Sequence, residues 1–124
     1  MAKPRLQPGP DHPITITPTG SRVTVTAGGR VVADTGNALT LQEASYPPVQ
    51  YVPLADVDPA LISATDHQTY CPYKGDASYW SLPEAENAVW GYRDPYDAVA
   101  AIKDHVAFYP DKVELRIEDR TAAS

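Results

Sequence analysis

Apolar and polar residues alternate along most of this chain, and a two-residue period predicts β-strands. Residues 14–17 alternate isoleucine with threonine and read as a short strand. Residues 22–35 read as a hairpin, with Val23 and Val25 leading out, Gly28 and Gly29 turning, and Val31, Val32 and Ala33 returning. A two-residue turn sets Val25 opposite Val32 and Val23 opposite Asp34. That register puts the Asp34 carboxylate beside two valines, either at the rim of the core or pointing into a pocket. Residues 38–42 alternate again. Residues 49–52 form a further short strand, expected at a sheet edge because prolines flank it.

Farther on, residues 78–82 and 88–92 predict two aromatic-rich strands, with 83–87 as a connecting loop. Lys112 opens the last strand, which runs to residue 118 and turns Val113, Leu115 and Ile117 inward. Two Asp-Pro pairs punctuate the pattern. Asp58-Pro59 starts a helical turn with Leu61 and Ile62 buried, and Asp94-Pro95 caps a helix over 95–104. That helix points Tyr96, Val99, Ala100 and Ile102 at the sheet. The sum is about eight short strands and one proper helix, a mainly β domain closed on itself. Residues 14–120 form this single domain. Residues 1–13, with four prolines, make an N-terminal arm, and 121–124 a tail.

Composition narrows the function classes. The chain has 124 residues, 43% hydrophobic and 21% charged, enough for a core without disulfide or metal staples. A net charge of −6 argues against nucleic-acid partners and against an anionic membrane surface. One cysteine excludes an internal disulfide and the usual multi-cysteine zinc sites. The opening MAKPRLQPGP has no apolar run of signal-peptide length, and no segment nears the ~20 apolar residues of a membrane span. A cytoplasmic protein without metal or cofactor is expected.

Candidate chemistry concentrates in residues 70–80, YCPYKGDASYW, with the sole cysteine, a lysine and four aromatic rings. A nearby ammonium favours a thiolate, so Cys71 beside Lys74 is either a reactive thiol or a small buried apolar residue. Lys74 either sits at a pocket mouth facing an anionic ligand or pairs with Glu43, Asp34 or Asp56. The rings of Tyr46, Tyr51, Tyr70, Tyr73, Tyr79, Trp80, Trp90 and Tyr92 either fill the core or wall a ligand site. Of these, Tyr51, Trp80 and Trp90 are placed nearest a cavity. Asp66-His67, four residues before Cys71, offers a Cys-His pair only by spacing. His12, in the arm, and His105, after the helix, complete no metal motif.

Several short motifs carry a family resemblance. They are Tyr46-Pro47-Pro48, Tyr51-x-Pro53, Asp56-Val57, Cys71-Pro72-Tyr73-Lys74-Gly75, Trp90-x-Tyr92 and Phe108-Tyr109-Pro110. In this order they resemble a family catalogued as domain of unknown function 427, over about residues 20–118. The resemblance implies a β-tent-like fold, two antiparallel sheets meeting at an angle over a pocket. Relatives of that fold include zinc-bearing methionine sulfoxide reductases and ligand-binding domains with aromatic cages. Where zinc-bearing relatives carry Cys-x-x-Cys, the comparable spacing here is Cys71-x-x-Lys74, and an ammonium has no ready lone pair for a metal. The family is sometimes labelled nucleotidyltransferase-like, yet Gly28-Gly29 sits in a hairpin turn, and Asp56-x-Asp58 matches a magnesium pair only by spacing.

The function expected is binding of a small planar or anionic metabolite in an aromatic-lined pocket around Lys74. Tyr51, Trp80, Trp90, Glu43 and Asp34 are its further ligand-binding candidates. An enzyme using Cys71, Lys74 and Glu43, or a homodimeric interaction module joined near residues 49–52, are the alternatives.

Overall fold

Val23, Val25, Val52, Val89, Val99 and Ile102 have no solvent exposure, and they divide between two separate interiors. The structure is a computed structural model and describes residues 5–118. The first four residues of the expected arm, including Pro4, and the expected tail at 121–124 lie outside the described residues. So do residues 119 and 120 of the expected domain.

The described residues form ten strands: β1 (Ile14–Pro18), β2 (Arg22–Ala27), β3 (Arg30–Thr35), β4 (Leu39–Glu43), β5 (Val49–Pro53), β6 (Ser63–Cys71), β7 (Gly75–Leu82), β8 (Ala85–Gly91), β9 (His105–Phe108) and β10 (Glu114–Glu118). They make two antiparallel sheets. The larger has seven strands in the order β1-β4-β5-β9-β8-β7-β6, and the smaller three in the order β10-β2-β3. The fold is mainly β, as the alternation predicts. Among the described residues, no helix is long and apolar enough to cross a membrane.

Strand side chains alternate between faces, and the large sheet buries both of its faces. Val52, Trp80, Leu82, Val106 and Phe108 join Val23, Val25 and Val32 of the small sheet in one interior. Their neighbours Tyr51, Tyr79 and Ala107 face the other way and meet Leu41, Tyr92, Val99 and Ile102. Each fully buried aliphatic side chain contributes about 1.5–3 kcal/mol. The second interior is therefore a core in its own right, and it carries the candidate site.

Several expectations need correction. The β2–β3 register shifts after Val25, so Val25 faces Ala33, Val23 faces Thr35, and Asp34 faces Thr24. The extra residue in β3 is Val32, and this bulge lets the consecutive Val32 and Ala33 both face inward. Asp34 is thereby turned to solvent. Residues 49–52 are not at an edge, since β5 pairs with both β4 and β9. A strand-edge homodimer at that place has no edge to use.

The expected helix over 95–104 is a pair of 3-10 turns spanning Asp97–Ile102, broken at Val99 with φ −125° and ψ 25°. Val99 and Ile102 must both reach the second interior, and three residues per turn places them on one side. The Asp58-Pro59 segment is a turn in which Asp58 Oδ1 accepts the Ala60 N–H at 2.9 Å. The 3-10 turn there comes earlier, at Leu54–Asp56. Finally, β6 fills a region with no predicted strand, and the loop expected over 83–87 shrinks to a tight turn with Leu82 opposite Ala85.

The packing of β8 on β9 generates a direct check. A Cβ added at Gly91 would stand 2.5 Å from the His105 carbonyl oxygen and 3.0 Å from Val106 Cγ1. Neither the backbone oxygen nor the buried valine can retreat without disturbing the sheet. Gly91→Ala is expected to lower unfolding free energy by about 1–3 kcal/mol in urea denaturation; an unchanged midpoint would contradict the close approach.

Candidate functional site

The site is built on the turn between β6 and β7. Lys74 N–H donates to the Cys71 carbonyl at 3.2 Å, and the Lys74 carbonyl accepts the Tyr96 N–H at 3.0 Å. Gly75 then takes φ 112°, a backbone region closed to side-chain-bearing residues. With the turn pinned on both sides, the Lys74 side chain is directed inward, and the residue keeps 8% of its surface.

A buried ammonium needs a counter-charge. Lys74 Nζ donates to Glu43 Oε1 at 2.6 Å, and to Cys71 Sγ at 3.7 Å. It also stands 5.9 Å from the centre of the Tyr92 ring, within cation–π range. Glu43 closes β4, so sheet pairing fixes its backbone. Its second oxygen, Oε2, accepts from His12 Nε2 at 2.7 Å. The His12 ring lies flat on Tyr73, with centroids 4.0 Å apart and planes 7° apart, and Tyr46 meets it edge-on at 6.5 Å.

His12 reaches this place because the arm folds back along the protein. Leu6 N–H donates to the Pro72 carbonyl at 2.9 Å, and Ala44 N–H donates to the Pro13 carbonyl at 2.8 Å. Gly9 and His12 exchange backbone hydrogen bonds across a tight turn. The arm thus crosses the 71–75 turn and ends against the end of β4. Its residues 5–13 thereby complete the ion cluster through His12.

Burial raises the Glu43 carboxyl, but hydrogen bonds from Lys74 and His12, together with their charges, outweigh it and leave the group below the ordinary carboxylate range. Tyr51 and Tyr92 lie beneath this cluster. Burial pushes both hydroxyls well above the usual tyrosine value; a hydrogen bond from Trp90 partly offsets this at Tyr51, and the nearby Glu43 carboxylate adds to it at both. Both therefore stay O–H donors at physiological pH. Among the described residues, every buried side-chain nitrogen and oxygen has a hydrogen-bond partner.

The structure brings together Lys74, Glu43 and Cys71, and Cys71 and Trp90 pack against the core cluster that holds Tyr51. It does not bring in Trp80 or Asp34. Trp80 faces the other interior, with the Arg93 guanidinium 6.0 Å from its ring centre. Asp34 lies on the small sheet, gripped by Arg22 Nε at 2.8 Å and Nη2 at 2.6 Å, and that hydrogen bonding holds its carboxyl below the usual range. Asp56 accepts from Thr35 Oγ1 at 2.6 Å, a structural role. His67 meets the edge of Tyr79 at 4.5 Å.

An open groove of about 360 Å³ lies between the β2–β3 turn, the β7–β8 turn and the loop before β10, lined by Gly28, Arg30, Glu84 and Lys112 among others. No residue of the Lys74 cluster lines it. Sequence reasoning missed His12 as a member of the site, since 31 positions separate it from Glu43. The proline-rich turn before it is a local signal only for a bend. Among the described residues, no group of three or more His, Cys, Asp or Glu could hold a metal ion.

The Glu43 carboxyl yields a pH prediction. Its folded value lies below its ordinary value of 4.5, so its contribution to stability is full above that value and is lost as pH falls through the folded one. Wild-type stability should therefore fall more steeply than that of Glu43→Gln as pH drops below about 4.5. Urea denaturation from pH 7 to pH 3 measures the difference. Parallel profiles for the two proteins would contradict it.

A search of curated proteins finds no match to the chain. A family model described as a domain of unknown function, DUF427, matches residues 15–119. The match takes in Glu43, Tyr51, Cys71, Lys74, Trp90 and Tyr92, and begins beyond His12. The motifs around the Lys74 turn and a match over most of the chain agree, and the chain belongs to the DUF427 family.

Proposed function

We propose that the Lys74–Glu43 cluster is the binding centre for a small planar metabolite. The observation that carries the reading is a lysine with 10% side-chain exposure, bonded to a carboxylate of 17% exposure and 5.9 Å from the centre of the Tyr92 ring, while the same carboxylate bonds the His12 ring that lies flat on Tyr73. A buried ion pair is a poor way to gain stability, because apolar residues of equal volume do as well or better. Charges retained there, next to aromatic faces that suit a flat ring, fit a recognition site. Of the planar and anionic ligands expected from the sequence, planar ones fit better, since Glu43 already neutralises the ammonium. A cytoplasmic location accords with the single free thiol, Cys71.

The test is a thermal-shift screen with nucleobases, nucleosides, aromatic amino acids and other flat metabolites. A ligand at a hundred times its Kd adds about 2.7 kcal/mol, a shift of several degrees. Lys74→Met is expected to fold and to lose that shift. A shift that persists in Lys74→Met would place binding elsewhere, the groove near Arg30 included.

One contact favours a second reading, an enzyme working through Cys71. The Lys74 ammonium stands 3.7 Å from the Cys71 sulfur, close enough to orient a sulfur nucleophile. This reading predicts that iodoacetamide labels Cys71 in the folded protein faster than a free cysteine, and that Lys74→Met slows it. Labelling no faster than free cysteine removes the thiolate from any mechanism.

A further inference from the structure

We infer that His12 is a built-in stand-in for the ligand, and that the natural ligand is a planar nitrogen heterocycle that donates a ring N–H to Glu43. The inference rests on the binding reading above and names the chemical class it takes. An imidazole is itself such a heterocycle. Here it lies parallel to Tyr73 at 4.0 Å, within 7° of coplanar, and directs Nε2–H at Glu43 Oε2. Tyr46 closes the edge. Stacking face, carboxylate acceptor and edge ring make a cradle for one flat ring with a donor nitrogen, and Lys74 on the other carboxylate oxygen keeps that acceptor charged and oriented.

The occupant is of a kind that can leave. His12 enters with the arm and is not part of either sheet, and its side chain keeps 24% exposure. Near it, the arm is tied to the body by the Leu6–Pro72 and Ala44–Pro13 backbone bonds, with Arg5 resting 4.1 Å over the Tyr96 ring. Pro8, Pro10 and Pro13 restrict the arm's backbone, so it loses less entropy on docking than a proline-free arm would. The cradle residues Glu43, Tyr46, Tyr73 and Lys74 fall inside the family match, whereas His12 falls outside it. A filled cradle also accords with the described cavities lying elsewhere.

A ligand must therefore displace the arm, and its apparent affinity is reduced by the fraction of molecules in which the arm is docked. Emptying the cradle should raise affinity by about tenfold or more.

The experiment uses the full chain, as wild type and as His12→Ala, titrated with imidazole and with adenine while ring signals are followed by NMR. His12→Ala is expected to bind both probes about tenfold more tightly than wild type. In wild type, saturating adenine should move the His12 ring signals out of the Tyr73 ring current. Glu43→Gln in the His12→Ala background should abolish the gain. Should His12→Ala not fold, His12→Phe keeps the stack, lacks the donor, and is expected to bind more tightly than wild type by a smaller factor.

Equal affinities for wild type and variants, or His12 signals that stay put at saturation, would overturn the inference. If the screen finds a Lys74-dependent flat ligand without a ring N–H, to which His12→Ala is indifferent, this inference falls and the binding reading stands. If no flat compound binds either protein, both fall.

Discussion

A positive charge inside a small β domain has to be answered, and the Lys74–Glu43 pair is that answer. Lys74 is directed inward by a turn that Gly75 alone can close, and its backbone is fastened to Tyr96. Glu43 is delivered by the end of β4, from the far part of the large sheet's strand order. One carboxylate then ties three pieces of chain together: the β6–β7 turn through Lys74, the arm through His12, and β4 itself. Removing either charge leaves the other stranded in a site with little water, which costs far more than the pair gains over an apolar substitute.

The sheets explain why this can happen on one side of the molecule without disturbing the other. With both faces of the large sheet buried, the small sheet covers one, and the other receives Val99 and Ile102 from the 3-10 turns. The second interior is the more aromatic and more polar of the two. It contains Tyr51, Tyr79 and Tyr92, whose hydroxyls burial keeps protonated at the first and last. Apolar packing under the small sheet supplies an uninterrupted core, and the charged cluster is confined to the face that the arm overlies.

Much of this was legible in the residues. Alternation found the strands at 14–17, 22–35 and 38–42, because each has one face in a core. It missed β6, whose residues 63–64 and 66–69 are exposed in an edge strand, so burial leaves no two-residue period. The helix over 95–104 failed because the interior needs Val99 and Ile102 at a spacing of three, which no propensity scale weighs. Cys71 next to Lys74 was readable from the turn chemistry of Pro72 and Gly75. Choosing Glu43 over Asp34 and Asp56 was not, since that depends on strand order and on the bulge at Val32. Trp80 was misplaced for a related reason: it is one residue from Tyr79, and in a strand that is the opposite face.

The most direct measurement is a double-mutant cycle on the pair, with Lys74→Met, Glu43→Gln and the combination compared by urea denaturation at pH 7. If the two charges answer one another, each single change destabilises strongly, and the double change costs less than their sum by about 1–3 kcal/mol. If the two losses add within about 0.5 kcal/mol, the ammonium and the carboxylate do not depend on each other. The cluster would then be two side chains that happen to meet.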